Sequence, residues 1–147
     1  MSEPIKTTEA IKTARTALIV HADMSVLSAF QSSFVSKGYV AILARDLPTA
    51  LLALTQHFFD IAVISSRLAE GGDGWPLAGV VHLIFPKAFV GVLTPETNVL
   101  TLQAAINNGV TQIFDAASQP DHVVNTSLGG QQAASIKPSS EPGTSIH

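Results

Sequence analysis

Five short apolar runs alternate with stretches of helical spacing, and this rhythm constrains the chain more than any other feature. The runs are "TALIV" (16–20), "YVAILAR" (39–45), "DIAVI" (60–64), "AFVGVL" (88–93) and "TQIFD" (111–115). Each is too short for a helix of usual length, and each is bounded by polar or turn-forming residues. Between them lie segments with apolar residues three and four apart. In "SVLSAFQSSFVSKG" (25–38), Val26, Phe30 and Phe34 form a stripe that Leu27 widens. Gly38 can end that helix, and Asp23 or Ser25 can cap its start. In "DLPTALLALTQHFF" (46–59), Asp46 can cap, Pro48 is tolerated in the first turn, and Leu47, Leu51, Leu54 and Phe58 mark the expected buried face. "WPLAGVVHLIF" (75–85) reads as a third helix interrupted by Gly79. "PETNVLTLQAAINNG" (95–109) reads as a fourth, with Val99, Leu102 and Ile106 inward. Strand–helix alternation of this kind implies a parallel sheet covered by helices on both faces and joined by right-handed crossovers.

After Asp115 the pattern fades. "SQPDHVVNTSLGG" (118–130) is read as a short helix capped by Asp121, with Val123, Val124 and Leu128 inward. The expected organisation is a loose N-terminal arm over 1–15, one domain over 16–128, and a disordered tail or linker over 129–147. A chain of 147 residues is long enough to bury a real core.

Composition removes several function classes. Charged residues make up only 13% of the chain and the net charge is -3, with the eight Lys and Arg scattered. Binding to a nucleic-acid backbone needs clustered cations, so none is expected of this domain. No apolar run approaches the ~18 residues that cross a bilayer, and no signal-peptide order opens the chain; the cytoplasm is the default expectation. Cysteine is absent, which excludes disulfides and thiolate chemistry. No Walker loop and no Gly-x-Gly-x-x-Gly follow the strands.

In open parallel sheets ligands sit beyond the carboxyl ends of the strands, where strand order reverses. Those ends carry His21, Ala22 and Asp23, then Ser65 and Ser66, then Thr94, then Asp115, Ala116 and Ala117. Ser65 with His21 as base would be a nucleophile pair, but no orienting acid or nucleophile elbow accompanies it. The plainer reading closes the strand through local serine hydrogen bonds. Modification of Ser65 or Ser66 by a kinase is a further option. A metal site drawn from His21, Asp23 and Asp73 matches no ligand spacing, and no metal or other cofactor is expected.

Over about residues 16–128 the pattern resembles the receiver domain of bacterial two-component response regulators. "DIAVIS", "GDG", "GVLT" and "AAINNGVTQIFD" stand at that family's spacings. The resemblance implies a doubly wound, five-stranded, flavodoxin-like α/β sheet in three layers. It also implies a protein partner in signal transduction: a histidine kinase, another regulator or a second copy.

The family's charged site is replaced throughout. Its phosphorylated Asp falls on Ser65, its acidic pair on His21 and Ala22 beside Asp23, its Lys on Ala116 and its Pro on Ala117. Thr94 alone keeps its identity, and the aromatic switch position falls on Ile113. Phe114 and Phe89 are expected in the core. Aspartyl phosphorylation needs a carboxylate and Mg²⁺, so the expected function is a degenerate, non-enzymatic receiver acting through protein contacts. A ligand-binding or minor enzymatic α/β domain is the alternative, and a receiver with unconventional phosphorylation is a third reading. The expected partner surface is the apolar third helix: Trp75, Val80, Val81, Ile84 and Phe85.

Overall fold

The computed structural model describes residues 15–130. The expected arm and tail therefore lie outside the described residues, apart from Arg15, Gly129 and Gly130. The first strand, β1, covers Arg15–Val20 and is followed by α1 (Met24–Ser36), β2 (Tyr39–Ala44) and α2 (Leu47–Gln56). Next come β3 (Ile61–Ser65), α3 (Gly74–Ile84), β4 (Phe89–Thr94), α4 (Val99–Asn107) and β5 (Gln112–Asp115). A last helix, α5, occupies 120–130. The five strands form one sheet in the order β2-β1-β3-β4-β5, and every neighbouring pair is parallel. This is the doubly wound α/β sheet that the alternation implies.

The sheet's central strands are apolar on both sides, because helices cover both. Leu18, Val20, Ala62, Ile64, Val90 and Val92 face Ala50, Ala53 and Leu54 of α2 and Leu77, Ala78 and Val81 of α3. Their neighbours Ala17, Ile19, Ile61, Val63, Phe89, Leu93 and Phe114 point the other way. There they meet Leu27, Phe30 and Phe34 of α1 and Val123 and Val124 of α5. Successive strand residues alternate between faces, so two cores are built from one set of strands. Phe114 and Phe89 are both buried, as expected.

Several helices differ from their sequence pattern. α3 is continuous through Gly79, and the glycine makes room for Asn108: a Cβ there would lie 2.5 Å from the Asn108 side-chain oxygen. α2 ends at Gln56, so Phe58 is outside it and exposed, and Leu51 is exposed as well; Ala50, Ala53 and Leu54 make the buried stripe. In α4 the expected orientation is reversed. Val99 and Ile106 are 76% and 79% exposed, and Leu102 is exposed too. The inward stripe is Thr101, Ala104, Ala105 and Asn108, which has equally good helical spacing but small side chains. Close packing against α3 admits only the small ones.

The last helix is longer than its fading pattern suggests. Pro120 occupies its first position, where a missing N–H costs nothing. The Asp121 carboxylate does not cap it. It accepts a 2.6 Å hydrogen bond from the Ser33 hydroxyl of α1 and ties the two helices on that face together. The helix continues through Gly129 to Gly130, where a Cβ would meet the Phe89 ring at 2.6 Å.

Candidate functional site

Strand order reverses between β1 and β3, so the crevice defined by the fold opens above His21, Ser65 and Ser66. Each polar group there is engaged by its own neighbourhood. His21 leaves the sheet with its N–H donated to the Ala44 carbonyl at 3.0 Å. Its Nδ1 accepts the Asp23 N–H at 3.0 Å, which leaves the proton of the neutral ring on Nε2. Burial pushes the His21 pKa below its ordinary value, against a smaller upward pull from the Asp23 charge.

Asp23 is the N-cap of α1. Its carboxylate accepts the Ser25 N–H at 2.8 Å and the Ser25 hydroxyl at 2.7 Å. Those two bonds, the hydroxyl's first, hold its pKa below the usual carboxylate range. Between them, the Ala22 carbonyl accepts the Arg45 Nε–H at 2.9 Å.

At the end of β3, the Ser65 hydroxyl donates to the Arg67 carbonyl at 2.9 Å and accepts the Arg67 N–H at 3.3 Å. This is a closed serine turn. Neither ring nitrogen of His21 hydrogen-bonds Ser65, so the structure does not assemble a Ser–His nucleophile pair. Ser66 is buried, with its N–H on the Leu93 carbonyl and its own carbonyl accepting the Gly74 N–H at 3.0 Å.

The loop after β3 folds back on itself through an antiparallel bridge between Arg67 and Asp73, with Glu70 at φ 58° in the left-handed region. Asp73 caps α3 by accepting the Trp75 N–H at 3.0 Å. Gly74 does not take a left-handed backbone angle. It is glycine because a Cβ would stand 2.0 Å from the Ser65 carbonyl oxygen.

At the end of β4 the buried Thr94 hydroxyl is turned onto Glu96, donating to its carbonyl at 3.2 Å. Thr94 pairs in register with Asp115, and its carbonyl accepts the Ala116 N–H at 2.9 Å. The Asp115 carboxylate accepts the Ala117 N–H at 2.7 Å. Ala116 is exposed. Among the described residues no three His, Asp or Glu side chains converge as a metal site, and the chain has no cysteine.

One feature here escaped the sequence reading. Arg67 and Glu96 form an ion pair at 3.7 Å that links the loops after β3 and β4. Both side chains are well exposed, so the pair contributes little to stability. Opposite charges two residues beyond each of two neighbouring strand ends were its only sequence signal.

The expected partner surface on α3 is only partly a surface. Val81 is fully buried, and Trp75, Val80 and Phe85 pack against the core beneath α2 and α3. Helix α3 covers the sheet's middle, so most of its apolar side chains are consumed by the core. Ile84 is exposed. The larger exposed apolar surface belongs to α4: Val99, Leu100, Leu102 and Ile106.

Among the described residues, hollows adjoin the sheet at both of its ends. One, of ≈ 280 Å³, sits beside the carboxyl end of β2 between α1 and α2, lined by Met24, Leu27, Leu43, Ala44, Arg45, Asp46 and Thr49. The other, of ≈ 380 Å³, lies at the opposite, amino edge of the sheet.

No family model and no curated protein sequence matches this chain. Solved structures do. A CheY-like response regulator receiver domain protein from Methanospirillum hungatei superposes with a TM-score of 0.77 at 17% identity, covering 85% of this chain and 99% of its own. The signal receiver domain of an HD domain-containing protein from Pseudomonas fluorescens gives 0.72 at 19% identity, covering 85% and 92%. A response regulator from Burkholderia pseudomallei, solved with a phosphorylated aspartic acid, a calcium ion and citrate, gives 0.71 at 14% identity, covering 85% and 73%. With its strand order, crossover crevice and flanking helices, the chain has the fold of CheY-like response-regulator receiver domains.

Proposed function

We propose that this domain is a degenerate receiver that signals by binding protein partners and does not take a phosphoryl group on the end of β3. The observation that carries this reading is the state of that strand end. Ser65 supplies an alcohol, not a carboxylate, and it is turned onto Arg67, while the Asp23 carboxylate caps α1. A phosphoryl acceptor of the receiver type needs a free carboxylate, acidic partners for Mg²⁺ and a cation for the phosphoryl oxygens. His21, Ala22 and Ala116 supply none of these.

Such a domain works through its surface. The α4 face supplies one: Val99, Leu100, Leu102 and Ile106 are exposed, and no charged residue lies between Val99 and Asn107. Exposed apolar area of this kind, on a rigid helix, is a contact site for another protein. The partner classes that fit are a histidine kinase, another regulator or a second receiver.

The test is incubation of the whole chain with a small phosphodonor and Mg²⁺, followed by intact-mass measurement and hydroxylamine treatment. No hydroxylamine-labile adduct is expected. An acyl-phosphate on Asp23 or Asp73 would overturn the proposal.

A further inference from the structure

The amino edge of the sheet, far from the crossover crevice, carries an apolar groove of ≈ 380 Å³ that no element of the described fold fills. It is lined mainly by Phe58, Phe59, Ile84 and Phe85, with Asp60 and Lys87 at its polar margin. The Phe85 ring stands edge-on to both Phe58 and Phe59, at centroid distances of 6.1 and 5.9 Å. Phe59 is buried and anchors the floor, whereas Phe58 is 85% exposed and neighbouring Leu83 is 80% exposed. Nothing in the core explains why a phenylalanine should stand in water here, since α2 has already ended at Gln56.

We infer that residues 1–14 of the same chain dock into this groove. The first ground is where the chain enters the fold. The Asp60 carboxylate that borders the groove also accepts the Thr16 N–H at 2.9 Å, and the Asp60 N–H donates to the Thr16 carbonyl at 2.9 Å. Strands β1, β3 and β4 are parallel, so the residues before Arg15 leave the sheet at the same amino edge that bears the groove. Thr16 lies two residues before Leu18 and shares its α2/α3 face, which is also the face of Phe59 and Phe85.

The second ground is length and pattern. Neighbouring strands are about 4.8 Å apart. Even in the most compact, helical form, 14 residues span about 20 Å, several times that separation. In "TTEAIKTA" (7–14), Ala10, Ile11 and Ala14 recur at one-face helical spacing, with Glu9 and Lys12 off that face. The segment after α5 is a poorer occupant. It leaves next to Phe89, whose ring belongs to the α1/α5 core on the other side of the sheet. Because the arm is tethered, its effective concentration is high, and a modest apolar contact suffices to hold it.

The absence of native cysteine makes a direct test clean. A nitroxide is placed on Glu3→Cys in the whole chain, and the amide resonances of residues 58–60 and 84–88 are followed by NMR. Docking predicts strong paramagnetic broadening there that does not change on dilution. It also predicts at least a several-fold loss of that broadening in Phe58→Asp and, separately, in Ile11→Asp. Phe58 is exposed, so its substitution should leave the rest of the spectrum unchanged. Three results would overturn the inference. One is no broadening at the groove. Another is broadening that appears only between labelled and unlabelled chains, which would make the occupant a second copy. The last is broadening from a label on Ser145→Cys instead, which would make it the C-terminal segment.

Discussion

Helices α1 and α4 are similar in hydrophobic content but opposite in what they bury. In α1 the large side chains Leu27, Phe30 and Phe34 face the sheet, and Ser28, Gln31 and Ser32 face water. In α4 the stripe of small and polar residues faces the fold, while Val99, Leu100, Leu102 and Ile106 stand exposed. The difference lies in the partner surface. α1 lies over strand side chains with space between them that Phe rings can fill. α4 meets α3 at Gly79, where Asn108 comes so close that even a methyl group has no room. A core helix is oriented by its largest apolar residues. A helix pressed against another backbone is oriented by its smallest, and its large residues are left for other uses.

That contrast can be broken in three places. The largest effect is expected from Phe30→Ala, since Phe30 is among the largest fully buried side chains. Loss of about 3–5 kcal/mol is expected in denaturant unfolding, with an unchanged m-value. A loss below 1 kcal/mol would mean that α1 does not carry the core on that face. Gly79→Val comes next, at about 1–3 kcal/mol, because the new side chain meets Asn108. Adding Asn108→Ala should recover part of that loss, whereas strictly additive losses would show that the two helices are not in close contact. The smallest stability effect is expected from Ile106→Ser, within about 0.5 kcal/mol of the parent. The same substitution should weaken binding to a protein partner, measured by calorimetry or by sedimentation for self-association. A large stability loss with unchanged binding would return Ile106 to the core.

The sheet was legible in the sequence because its signal is redundant. Each central strand is buried on both faces, so "ALIV", "IAVI" and "FVGVL" read as strands whatever packs on them. The strand-end positions of the candidate site followed directly, and so did the caps Asp23 and Asp46, whose side chains accept N–H groups at the helix starts. Much less could be read about what those residues do. Ser65, His21 and Asp23 look like a set when placed together by topology. The structure engages each one locally, with Arg67, with the Asp23 N–H and with Ser25 respectively. Each of these hydrogen bonds joins residues two apart in the chain and does not cross the crevice.

The apolar surfaces were the hardest to place. Val81 and Ile106 are both aliphatic residues at helical spacing, yet one is fully buried and the other is almost bare. Length and composition by themselves determined that the chain could bury a core without thiolate chemistry or disulfides. The order of apolar runs determined that its strands would be parallel and that the crossover crevice would lie at their carboxyl ends. Only the tertiary structure decided which apolar residues are core and which are surface. Periodicity defines the faces of a helix, but the gap to its neighbour selects among them. That gap depends on contacts such as Gly79 with Asn108, between residues far apart in the chain.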